Sequence, residues 1–141
     1  MSTTTDKRTN VDLSGQSGVE FSKLFYETMD KKRHLVSNLY LDDASLIWNG
    51  NPYVGKENIS KFFETLPVST TDIRSVDAQP IADNFVQGRT TVLVSVSGIV
   101  KFSGKSSTLY SESFLLTAQQ GANGNVWKIV SDCFRFHETL S

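Results

Sequence analysis

Apolar residues recur with two different periods along the chain, and the change from one to the other divides it. Phe21, Leu24, Phe25 and Thr28-Met29 fall on one face of a helix. Ser17-Gly18-Val19-Glu20 just ahead of them has the form of a capping box, which predicts a helix start there. Residues 1–13 then read as a flexible tail, leaving a single domain over 14–141. Asp30 is expected to cap a second short helix with Leu35, Val36, Leu39 and Tyr40 as its apolar stripe. A short strand is predicted at Ala44–Trp48, and Asn49-Gly50-Asn51-Pro52 is expected to turn the chain, because Asn and Gly tolerate positive φ and Pro cannot continue a ladder. In Lys56–Leu66, Ile59, Phe62, Phe63 and Leu66 sit at i, i+3, i+4 and i+7, with Pro67 beyond the end, which predicts a third helix.

From Thr70 onward the period becomes two. Strands are predicted at about 70–80, 88–102, 107–119 and 126–136, separated by turn signals at Ala82-Asp83-Asn84, Ser103-Gly104 and Gly121-Ala122-Asn123-Gly124-Asn125. Helices first and a strand meander last imply an α+β domain, with the helices packed on one face of an antiparallel sheet.

Alternation assigns the two sheet faces. The even positions Val92, Val94, Val96, Val100 and Phe102, then Tyr110, Phe114, Leu116 and Ala118, then Val126, Val130, Phe134 and Phe136 form an apolar set expected to meet the helices. The odd positions are expected to face outward: Leu93, Ser95, Ser97, Ile99 and Lys101; Leu109, Ser111, Ser113, Leu115 and Thr117; Trp127, Ile129, Ser131, Cys133 and Arg135. Only Lys101 and Arg135 in that outer set are charged, whereas a solvated surface is about 25–35% charged. Small serines between Leu, Ile and Cys let another backbone approach closely. Charge depletion marks an interface core, and Arg is the cation best tolerated there. This outer face is therefore expected to dock on a second sheet. A bare Ser/Thr-rich face is the alternative.

Composition narrows the functional classes. The chain has 141 residues, of which 38% are apolar and 21% charged, enough for one buried core. A net charge of −1 argues against nucleic-acid binding by bulk charge. One cysteine, Cys133, forms no intrachain disulfide and no multi-cysteine zinc site, which favours cytosol or nucleus. The polar opening residues carry no signal-peptide pattern, and VLVSVSGIV at 92–100 is far short of the ~20 residues of a membrane helix.

Candidate chemistry is sparse. Asp42-Asp43 beside Trp48 has the make-up of an acid pocket. Their expected place ahead of the first strand makes them a scaffold corner instead, with Trp48 filling the cavity. Glu112 and Asp132 have inward parity, so either is a candidate pocket acid or a capping carboxylate. His34 and His137 lie off the inward strand positions, and no catalytic residue, cofactor or metal site is assigned. Lys31, Lys32, Arg33 and His34 read either as a targeting signal or as a solvated helix face.

The element order resembles the nuclear transport factor 2-like fold, a cone in which a curved sheet wraps a long helix. TMDKKRHLVSNLY at 28–40, LIWNGN at 46–51, FFETLP at 62–67, TTVLV at 90–94, FLLTAQ at 114–119 and VWKIVSDCFRF at 126–136 further resemble the nuclear transport factor 2-related export proteins, small subunits of the mRNA export receptor. The resemblance runs from about Phe21 to Phe136. It implies a non-enzymatic protein that pairs sheet to sheet with the nuclear transport factor 2-like domain of a large receptor subunit. The heterodimer would dock on Phe-Gly repeats of nucleoporins and shuttle between nucleus and cytoplasm. RNA contact would belong mainly to the large subunit. On the matching strand, Arg135 becomes the salt-bridge partner of an acid on that subunit and Cys133 the centre of the interface. Ran-GDP carriers of the family place acid after the first-strand tryptophan and in the next-to-last hairpin. Here those places hold Asn49 and VKFSGKSS, with Lys101 and Lys105, so Ran-GDP binding is not expected. A homodimeric binding module and a small-molecule enzyme on the same cone are the alternatives. The homodimer is disfavoured because no acid stands among the outer positions named above to meet a second Arg135.

Overall fold

The structure is a computed structural model that describes residues 3–81, 91–121 and 124–137. The elements run α1 (Thr3–Lys31), a 3-10 helix (Arg33–Leu39), β1 (Tyr40–Trp48), β2 (Asn51–Val54), α2 (Lys56–Glu64), β3 (Ser69–Ile81), β4 (Thr91–Phe102), β5 (Thr108–Gly121) and β6 (Gly124–Phe136). The strands form one open six-stranded sheet in the order β2-β1-β6-β5-β4-β3. The sheet is mixed: β1 runs parallel to β6, and every other pair is antiparallel. The expected α+β cone with three helices on a sheet is present, and the parallel pair is the departure from an all-antiparallel sheet. Ala82-Asp83-Asn84 and Ala122-Asn123 lie outside the described residues.

Helix α1 lies on β3 and β4, while α2 lies on β1 and β2. Phe21, Phe25, Tyr26 and Met29 of α1 are buried against the sheet, and Ser22 and Thr28 are satisfied by back-bonding to Gly18 O (2.8 Å) and Leu24 O (2.7 Å). The capping-box reading of Ser17–Glu20 is corrected, because the helix begins upstream and these residues lie within it. Gly18 serves packing: a Cβ there would meet Ala78 Cβ at 2.5 Å, so only glycine lets α1 approach β3 this closely.

Asp30 caps no second helix. Its carboxylate accepts from Ser69 Oγ (2.6 Å), Thr71 N (2.8 Å) and Thr71 Oγ1 (3.0 Å), tying the end of α1 to the start of β3. The expected second helix is a 3-10 helix that buries only Val36, and Tyr40 already belongs to β1. The turn after β1 is confined to Asn49 (φ 49°) and Gly50 (φ 86°), the left-handed pair that a two-residue hairpin requires. Asn51-Pro52 is the start of β2 and not part of the turn. Pro52 is accommodated because β2 is an edge strand.

The core is an aromatic chain. Trp48 stacks on Phe134 at 3.8 Å with rings nearly parallel, Phe134 stacks on Tyr110 at 5.4 Å, and Phe25 joins Phe114 at 4.8 Å and Tyr40 at 6.3 Å. Trp48 fills the space between β1 and α2, where Phe62 and Phe63 also reach its ring.

Candidate docking surface

Strand register builds the outer wall row by row. Ser95 of β4 faces Ser113 of β5, Ser113 faces Cys133 of β6, and Cys133 faces Ile47 of β1. The next row runs from Ser97 through Ser111 to Arg135. Ser95, Ser113, Cys133 and Arg135 are exposed, while Ser97, Ser111 and Ser131 are half-buried beside them. Ile47 at 42% and Leu93 at 36% exposure add apolar surface to this wall, and Leu109 is 59% exposed farther along β5. Arg135 makes no ion pair, since the two among the described residues are Lys61–Glu57 and Arg74–Asp72.

Ile129 is corrected. It is fully buried in the core and opposite Leu116, so it cannot contact a partner. A register shift at Leu115/Leu116 breaks simple alternation. The extra residue is Val130 on β6, and beyond it the parity of β6 alone is inverted: Ile129 is buried, Trp127 packs partly on the core, and Val126 is 45% exposed, whereas on β5 Leu116 stays buried with Leu115 and Thr117 buried beside it. Val130 is half-exposed and is absent from the core. Nothing in the sequence signals the shift. Ile47 also went unseen, because it joins the wall only through the parallel β1–β6 pairing. The positions named in sequence carry no acid, but β3 extends the same face: Asp77 pairs with Ser95 and is exposed.

The end of the wall is fixed from behind. Asn49 N donates to Phe134 O (2.9 Å), and Phe136 N donates to Asn49 Oδ1 (2.9 Å), which locks the last turn of β1 onto β6 on both sides of Arg135. Asn49, Arg135, Phe136 and His137 line a hollow of about 620 Å³ there. Its donors are of the type that receives an acidic side chain.

The inward face holds two buried carboxyls. Glu112 and Asp132 are 1% and 2% exposed, as their parity predicts. Tyr26 Oη donates to Glu112 Oε1 (2.8 Å), and Tyr40 Oη donates to Asp132 Oδ2. Desolvation, then the neighbouring Asp132, pushes the Glu112 carboxyl well above its ordinary range. Desolvation pushes Asp132 up to about 6, partly offset by the neighbouring Glu112 and by the hydrogen bond from Tyr40. Burial, then Glu112 for Tyr26 and Asp132 for Tyr40, raises both phenols. These acids have the shifted ionisation of an enzyme pocket and are buried behind the sheet. The hollows at Asp42 and Lys56, at Tyr53 and Phe62, and at Asn49 and Arg135 do not reach Trp48, Glu112 or Asp132. Asp42 and Asp43 are exposed and lie inside β1, at its register shift against β6, and not ahead of the strand. Among the described residues no His, Cys, Asp or Glu cluster is arranged to hold a metal, and no helix is long and apolar enough to cross a membrane.

Comparisons with known proteins agree with the fold. Residues 17–136 match the family model of the nuclear transport factor 2 domain. The chain is 47% identical over 141 residues to human NTF2-related export protein 2, covering 100% of this chain and 99% of the relative. Among solved structures, nuclear transport factor 2 from Cryptosporidium parvum superposes with a TM-score of 0.72 at 26% identity, covering 90% of this chain and 94% of that one. A chain of the Candida albicans Mtr2-Mex67 M domain complex superposes at 0.65 with 18% identity, covering 86% and 94%, which speaks for the fold alone.

Proposed function

The chain belongs to the nuclear transport factor 2 family, and from that premise we propose that it is the non-enzymatic small subunit of a heterodimeric mRNA export receptor. Its outer wall pairs with the nuclear transport factor 2-like domain of the large subunit. The observation that carries this reading is the exposed row Ser95–Ser113–Cys133–Ile47, uncharged across four strands, with the unpaired Arg135 one row away. An apolar, small-residue patch of this kind favours a covering sheet, and a lone cation beside it selects a partner that brings the acid. The relative named an export protein supports the same assignment. The heterodimer shuttles between nucleus and cytoplasm and meets nucleoporin Phe-Gly repeats, with RNA held by the larger subunit. Exposed Lys101 and Lys105 flank the β4–β5 hairpin and disfavour Ran-GDP.

Co-expression with the matching receptor domain is expected to give a one-to-one complex by size exclusion. Arg135→Glu is expected to weaken it by about 2–5 kcal/mol, the usual loss for one partner of a buried charge pair. Unchanged affinity of both Arg135→Glu and Ser113→Glu would place the interface elsewhere. Asp77 on the same face favours a second reading, pairing of two copies. In that case the chain alone sediments as a dimer that Asp77→Lys dissociates.

A further inference from the structure

Glu112 and Asp132 have no part in docking, yet they occupy the centre of the sheet's inner face. Glu112 stands opposite Phe134, and Asp132 stands opposite Phe114, so the acids are diagonal neighbours across β5 and β6. One oxygen of each carboxyl is served by a tyrosine, Tyr26 from α1 and Tyr40 from β1. The other two, Glu112 Oε2 and Asp132 Oδ1, are buried without a hydrogen-bond partner. Two ionised carboxylates would leave both of these oxygens without a donor in an apolar core, at a cost in solvation and repulsion. A single proton on Glu112, donated to Asp132, satisfies both.

We infer that Glu112 and Asp132 hold one proton between them at neutral pH, forming a pH-sensitive latch that joins β5 to β6 behind the outer wall. Among the described residues, no cation acts on the pair to favour a second ionisation. Tyr26 comes from α1, Tyr40 from β1, Tyr110 from β5 and Cys133 from β6; Asp30 and Asp72 act on Tyr110 from α1 and β3. From β4 the facing residue is Val96, and from α2 it is Phe63 against Tyr40. Direct interaction between the carboxyls raises Glu112 and lowers Asp132, the direction expected when Glu112 is the donor. Both acids bind protons more tightly folded than unfolded. The stabilisation is therefore complete below about pH 4, the ordinary carboxylate range, and is lost as pH rises toward and past the folded values. Glu112 lies between Ser111 and Ser113, and Asp132 lies between Ser131 and Cys133. Ionisation of the pair thus loosens the two strands that carry the wall.

The test is carboxyl ¹³C NMR on the full-length wild-type chain, together with urea unfolding from pH 4.5 to 7.5. Glu112 is expected to give a protonated-carboxyl shift at pH 7. The unfolding constant is expected to rise at least about a thousandfold across that range, since the fold keeps one or more protons that the unfolded chain has released over three pH units. Glu112→Gln keeps an acceptor for Tyr26 and a donor for Asp132. Both Glu112→Gln and Asp132→Asn are expected to flatten the pH slope and to exceed wild type in stability at pH 7.5. An ionised Glu112 at pH 7 overturns the proposal whether or not the variants fold, and so does a slope unchanged in both variants.

Discussion

Replacing Arg33 with methionine tests whether the basic run at 31–34 is a solvated face or part of the frame. The Arg33 side chain donates to Met29 O (2.6 Å), Phe63 O (3.3 Å), Leu66 O (3.0 Å), Pro67 O (2.8 Å) and Ser69 Oγ (3.0 Å). The carbonyls of Phe63, Leu66 and Pro67 belong to the end of α2 and the connection behind it, where a helix leaves its last carbonyls without internal partners. Arg33 therefore closes α2 and holds it to α1 and β3. Hydrogen bonds contribute about 0.5–1.5 kcal/mol each, so five would sum to roughly 3–7 kcal/mol. The side chain is half-exposed, the contact at 3.3 Å is long, and freed carbonyls regain water. The net loss is accordingly about 2–3 kcal/mol. Methionine keeps the apolar stem, so the change isolates the guanidinium. With a urea m-value of about 2 kcal/mol/M, the unfolding midpoint read by Trp48 and Trp127 fluorescence falls by roughly 1 M. Arg33→Lys recovers little, because one ammonium cannot span acceptors on three elements. A midpoint within ~0.2 M of wild type for Arg33→Met would return the basic run to the solvent and refute the argument.

Ile129→Ala should destabilise the fold by about 2–5 kcal/mol in urea titration, because it empties a fully buried site, while the folded variant keeps its partner affinity. Loss of partner binding without loss of stability would return Ile129 to the outer wall. Gly98→Ala should cost about 1–3 kcal/mol, read as a lower Tm by calorimetry. The new Cβ would overlap the Asp72 carbonyl oxygen of β3 and sit 3.1 Å from Tyr110 Cε1. A Tm equal to wild type would mean that β3 yields at its register shift between Ile73 and Ser75 without strain.

The periodicity of α2 and of the long strands was readable from the chain because each buries a single stripe or face. Ile59 and Phe63 are buried on α2 as spaced, and Val92, Val94, Val96 and Val100 all point inward from β4. The outer wall at Ser95, Ser113, Cys133 and Arg135 was likewise legible, since alternation holds wherever no extra residue interrupts a ladder. It failed at Ile129 because a register shift inverts the β6 positions beyond it, and no residue type encodes that shift. The extra strand β2 was hidden because Pro52 suits an edge strand as well as a turn. Asp30 and Arg33 have the local make-up of a cap and a basic face. Partners from distant strands and helices took them over, because paired buried groups outweigh local propensity. The chain alone therefore determined which residues alternate and which faces they form. Tertiary packing decided which strands are neighbours, where alternation slips, and that two acids far apart in sequence meet in the core, since contacts between distant segments depend on register and not on local pattern.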